Sequence, residues 1–113
     1  MTAGELEEVT AAEAITLSQG ESWLVDVREP DEWEAGHAVG AYSLPMSQIT
    51  ERIGELPQDA TLLVICHSGA RSLRVTSMLS QAGYNAINVQ GGTMGWKSAG
   101  GEIVADGPAA PQS

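Results

Sequence analysis

The chain of 113 residues has no phenylalanine, one cysteine and five basic residues. Each shortage excludes something. Without Phe the core must be assembled from Leu, Ile, Val, Ala, Met and three Trp, and a hydrophobic content of 42% is ordinary for one globular domain. One cysteine cannot close an internal disulfide or build a multi-thiolate metal centre, and it suits a reducing compartment. Five basic against fifteen acidic residues leave a formal net charge of −10. That balance opposes nucleic-acid phosphates and anionic membrane surfaces. No basic segment leads into an apolar stretch at the N-terminus, and no apolar run approaches membrane-spanning length. The expectation is a cytoplasmic protein with no nucleic-acid and no membrane partner.

What is present gathers around that cysteine. Leu62-Leu63-Val64-Ile65 is a short continuous apolar run, the pattern of a strand buried on both faces. It stops at Cys66, small and polar residues follow, and a helical pattern begins near Arg71. Backbone N–H groups at a helix start lack intrahelical partners and favour anions, which biases a thiol there toward thiolate. Four residues separate Cys66 from Arg71. Gly69 lets the loop turn, Ser68 and Ser72 carry hydroxyl donors, and Arg71 offers a planar fork suited to an oxyanion. Together they describe a nucleophilic sulfur in a cradle for a small anion. Arg71 and Arg74 form a local positive spot on an acidic body. The plain alternative is an inert cysteine packed at a strand end, against which the neighbours Ser68 to Ser72 argue. His67 reads as facing solvent or a partner. The catalytic reading requires a thiol reachable from solvent with peptide N–H groups aimed at it.

Taken in order, residues 1–5 read as loose and Val9 as the end of a short strand. Thr10 and Glu13 form a capping box for a helix from Ala11 to about Ser18, ended by Gly20. Trp23 to Val27 reads as a buried strand, stopped by Pro30 and followed by one helical turn, Asp31 to Ala35. Asp26 and Arg28 read as a salt bridge tying strand ends together, with support of the cysteine loop as the functional alternative. Glu32 reads as a surface turn, Trp33 as a core plug and His37 as a structural histidine. A strand over Ala41 to Leu44 precedes a helix from Gln48 to about Glu55, capped by Ser47, with Ile49, Ile53 and Leu56 turned inward. After the Cys66 loop, Val75, Met78, Leu79 and Ala82 mark a helical core face, and Gly83 ends it. A strand over Ala86 to Val89, Gly91-Gly92 and a short helix with Met94 and Trp96 complete the pattern. From Gly100 the composition turns to Gly, Pro and Ala, and 105–113 reads as a flexible tail. Alternating strands and helices predict a parallel α/β sheet with helices on both faces, its ligand site beyond the carboxyl ends of the strands.

The run Cys66-His67-Ser68-Gly69-Ala70-Arg71-Ser72 resembles the active-site loop of rhodanese-domain sulfurtransferases. Asp26-Val27-Arg28-Glu29-Pro30-Asp31-Glu32-Trp33 with Gly36-His37 resembles the family's upstream signature, continued by Gly40-Ala41 and Leu44-Pro45. Gly91-Gly92 with Trp96 resembles the downstream one. Ala38-Val39 departs from the common Ile-Pro, and His67 stands where many members carry Arg. The resemblance runs over about residues 6–104 and implies a single rhodanese-like domain, 1–104, with a mostly parallel five-stranded sheet. It implies Cys66 as catalytic nucleophile, His67, Ser68, Gly69, Ala70, Arg71 and Ser72 as substrate-binding, and Asp26 and Arg28 as supporting. The implied chemistry moves a sulfane sulfur from a small anionic donor such as thiosulfate, through a persulfide, to cyanide, a thiol or a protein, with no cofactor and no metal. Two other readings stand beside it. One is a sulfur-carrier or regulatory module acting on a partner protein. The other is a cysteine-dependent phosphatase or arsenate reductase, whose loop has one residue more between cysteine and arginine.

Overall fold

A computed structural model describes residues 7–105. The chain forms β1 (Glu8–Val9), α1 (Ala11–Ser18), β2 (Trp23–Asp26), α2 (Pro30–Ala35), β3 (His37–Ala38), β4 (Tyr42–Ser43) and α3 (Ile49–Arg52). These are followed by β5 (Thr61–Ile65), α4 (Ala70–Gln81), β6 (Asn85–Val89), α5 (Gly92–Ser98) and β7 (Ile103–Val104). Five strands pair in the order β1-β6-β5-β2-β4, every neighbour parallel, with β5 at the centre. The expected sheet is therefore present.

Strand alternation divides the core in two. Leu62 and Val64 of β5 pack on one face with Val25, Ile49, Leu56, Val75 and Leu79, beneath α3 and α4. Leu63 and Ile65 pack on the other with Leu24, Ala14, Val89 and Trp96, beneath α1 and α5. A central strand buried on both faces leaves no polar side, which is why residues 62–65 are unbroken hydrophobe.

Local signals behave as expected at several points. Thr10 Oγ1 accepts from Glu13 N–H at 3.1 Å, and Glu13 Oε1 accepts from Thr10 N–H at 2.8 Å. Pro30 opens α2, where its missing N–H costs no helical bond. Trp33 is buried and stacks on His37, ring centroids 3.5 Å apart, while His37 Nδ1 lies 2.9 Å from the Trp33 carbonyl. Other expectations are corrected. The helix expected over 48–55 is broken, α3 being flanked by 3₁₀ turns at Met46–Gln48 and Ile53–Glu55. Ser47 does not cap it, because its hydroxyl donates to Glu29 Oε1 at 2.8 Å. Met78 is exposed rather than core, and so is Ala82. The buried face of α4 is Ser72, Val75, Thr76 and Leu79. Two hydroxyls replace apolar groups there because each finds an internal partner, Thr76 Oγ1 donating to the Ser72 carbonyl at 2.7 Å. The antiparallel pair β3–β7 was not foreseen. Of the tail expected over 105–113, Ala105 is irregular and exposed. The rest, like residues 1–5, lies outside the described residues. Among the described residues no helix is long and apolar enough to cross a membrane.

Candidate active site

The carboxyl end of β5 delivers Cys66 to the floor of a short loop that turns into α4. Gly69 adopts φ +110°, a left-handed value that suits glycine, and starts the helix. That turn folds the loop back over the cysteine, so that Gly69 N–H donates to Cys66 Sγ at 3.1 Å. The loop is held from behind. Gly92, at φ +57°, passes so close that a Cβ there would lie 2.5 Å from the His67 carbonyl oxygen and also strike that of Cys66. Thr93 N–H donates to the Cys66 carbonyl at 2.7 Å, and Met94 N–H to that of His67 at 3.2 Å. The Gly91-Gly92 pair thus lets α5 buttress the nucleophile loop.

Burial pushes the Cys66 thiol up, but donors outweigh it: the Ser72 hydroxyl and the backbone N–H groups of Ser72, Gly69 and Ser68 bring it below the ordinary value. The amide ring expected around the sulfur is therefore present in part. The expected access is not. Cys66 is 1% exposed and packs with Val75 and its neighbours, because the strand that carries it is wholly buried. It sits below a rim whose residues His67, Ser68 and Ala70 are exposed, Gly69 being half-buried.

The remaining residues differ from expectation in what they face. Ser72 is fully buried, its hydroxyl within reach of Asn88 Oδ1 and the Gly69 carbonyl, so it faces the interior rather than the exposed rim. Arg71 is not a free anion clamp. Its Nη1 and Nη2 donate to Glu32 Oε1 and Oε2, both at 2.6 Å. That fork holds the Glu32 carboxyl well below its usual value, at about 2. Asp26 and Arg28 form the buried salt bridge, 2.8 Å, favoured from sequence. Arg28 also donates to the carbonyls of Gly36 at 2.8 Å and Glu32 at 3.3 Å, which ties the end of β2 to α2. Sequence reasoning missed Glu32, Asn88 and Thr93. They are distant in the chain and carry no local signal, except that Glu32 falls within a stretch resembling a family signature.

This arrangement defines a cysteine-loop α/β domain. The family model "Rhodanese-like domain" matches residues 10–99, and the chain belongs to that family. It is 41% identical over 83 residues, 73% of its length, to a protein of Allochromatium vinosum named Sulfurtransferase, covering 78% of that protein. It is 35% identical over 96 residues, 82% of its length, to the putative sulfurtransferase YtwF of Bacillus subtilis, covering 92%. Among solved structures, the rhodanese-related protein of Thermoplasma volcanium superposes with a TM-score of 0.82 at 31% identity, over 88% of this chain and 99% of that one. At the level of the family the chain is a sulfurtransferase.

Proposed function

We propose that the chain moves a sulfane sulfur through a persulfide on Cys66. The Cys66 thiolate attacks the outer sulfur of thiosulfate, the S–S bond breaks, and sulfite leaves with the electron pair. A nucleophilic acceptor such as cyanide then takes the outer sulfur, and the thiolate is restored, giving ping-pong kinetics. The observation that carries this reading is the Gly69 N–H donated to Cys66 Sγ at 3.1 Å within a loop of four residues between Cys66 and Arg71. Peptide dipoles aimed at the sulfur stabilise the thiolate and the anionic persulfide alike. That spacing leaves the ring narrow, which suits a single sulfur better than a phosphoryl group. The test is intact mass after mixing with thiosulfate. A species heavier by one sulfur is expected, and it disappears with Cys66→Ser together with cyanide-dependent thiocyanate formation. An unchanged mass for the parent chain, or unchanged turnover in the variant, overturns the proposal.

The recessed thiol and the engaged Arg71 favour one second reading, a carrier or partner-directed module. Small anions then load slowly, while a protein donor or acceptor meets the exposed rim at His67. Faster sulfur exchange with cell-extract proteins than with cyanide supports that reading, and the reverse order removes it.

A further inference from the structure

Arg71 belongs to the turn that carries Cys66, yet its charge is already spent. β2 and β5 are neighbouring strands, and their carboxyl ends are tied by Val27 N–H donating to the Ile65 carbonyl at 3.0 Å. The Cys66 loop leaves one of these ends and α2 follows the other, so the first turns of α4 and α2 meet above the same edge of the sheet. Arg71 crosses between them and lays Nη1 and Nη2 on the two oxygens of Glu32, each at 2.6 Å. Glu32 Oε1 also accepts from Glu29 N–H at 3.1 Å, within the capping box that starts α2. The carboxylate is held by three donated hydrogen bonds and tethered to the fold, so it faces Arg71 at a high effective concentration. Arg71 is also the one Lys or Arg between Cys66 and the end of the first turn of α4. The pair is about one-third exposed, so an incoming anion reaches it, but meets a cation whose charge is cancelled.

We infer that Glu32 is a specificity-determining residue, which fills the anion place at Arg71 and turns the site toward thiol persulfides and away from donors that carry a sulfonate. This rests on the proposed sulfur transfer and names its donor class. Thiosulfate keeps its charge on the oxygens of the departing sulfite, and those oxygens must displace a tethered carboxylate to gain the Arg71 fork. A thiol persulfide, RS–SH, has no such oxygens. The Cys66 thiolate bonds to its outer sulfur, the S–S bond breaks, and RS⁻ leaves with the electron pair while the outer sulfur keeps its proton. Nothing in that step calls on Arg71. Thiosulfate still loads the cysteine, but slowly, because an occupied fork acts against it.

The test follows sulfur gain by intact mass, at fixed salt and several donor concentrations. Cys66 is the only cysteine, so the added sulfur reports on it alone. The donors are thiosulfate and the persulfide of 2-mercaptoethanol, which carries no oxyanion. The quantity read is the ratio of their second-order loading rates, in which a general change in thiol reactivity cancels. Glu32→Gln keeps an oxygen for Arg71 to donate to and removes the counter-charge. The ratio should then rise about tenfold in favour of thiosulfate, the worth of one charge-assisted hydrogen bond. Glu34→Gln removes an exposed charge from the same helix and leaves the Arg71–Glu32 pair intact, so it should move the ratio less than about twofold. An unchanged or falling ratio in Glu32→Gln, the result if Glu32 only positions Arg71, overturns the inference, and so does an equal rise in both variants. In either case a parent chain that gains sulfur leaves the proposed function standing. A parent chain that gains sulfur from neither donor overturns the proposed function, and this inference with it.

Discussion

At the scale of single residues, the Arg71–Glu32 fork changes what the loop offers an anion. Both partners are about one-third exposed, so water and salt weaken the pair without abolishing it. The Glu32 carboxyl is depressed from 4.5 to about 2, chiefly by the Arg71 guanidinium. A group depressed on folding contributes stability that is complete above its unfolded value and lost as pH falls through the folded one. Glu32→Gln should therefore cost about 1 kcal/mol at pH 7, discounted for solvent, and the gap from the parent should close between 4.5 and about 2. Urea unfolding at neutral pH and near the bottom of that window checks it. A gap that persists in acid would mean packing rather than charge. The buried pair differs in kind. Asp26→Ala strands the Arg28 guanidinium, 5% exposed, and should cost about 3–5 kcal/mol. Urea unfolding of the parent and Asp26→Ala checks it, and an unchanged midpoint would mean that the Gly36 and Glu32 carbonyls alone hold Arg28.

Among the elements, the junction of the Cys66 loop with α5 is the least forgiving. Gly92→Ala places a Cβ against two carbonyl oxygens and holds it at φ +57°, so the loop or the helix start must move. A loss of at least about 2 kcal/mol is expected, with slower Cys66 alkylation in the folded fraction. Unchanged stability would mean that the loop relaxes freely. Elements whose signals are local were legible before the fold was known. The capping box of α1, the unbroken hydrophobe of β5 and the glycine turn into α4 each need only a few neighbouring residues. The remainder depends on distance. Arg71 meets Glu32 across 39 positions and Asn88 meets Glu8 across 80, so neither pair leaves a mark in any window of the chain. Met78 was misplaced because an apolar period was sought, while the inward stripe of α4 uses Ser72 and Thr76, whose hydroxyls are satisfied inside. β3 and β7 span two residues each, too short for an alternation to show.

For the whole molecule the question is which charge an incoming anion feels. The formal net charge is −10, and the body measures 37 × 32 × 24 Å. Of the five basic residues, Arg28, Arg52 and Arg71 are engaged in ion pairs, so the positive spot anticipated around Arg71 and Arg74 is largely neutralised at Arg71. Screening acts over about 30 Å at 0.01 M salt and about 10 Å at 0.1 M, so dilute buffer exposes an anion to the entire acidic body and moderate salt does not. Iodoacetate is an anion and iodoacetamide a neutral reagent of similar size, and their ratio of Cys66 alkylation rates cancels the thiol's own ionisation. The ratio should rise severalfold as salt goes from about 10 to about 100 mM, because distant repulsion is screened while little local attraction is lost. A ratio that falls instead would show that Arg74 and the Arg71 fork together outweigh ten net negative charges at the sulfur. Anionic donors would then be drawn in by the loop itself rather than admitted despite the surface around it.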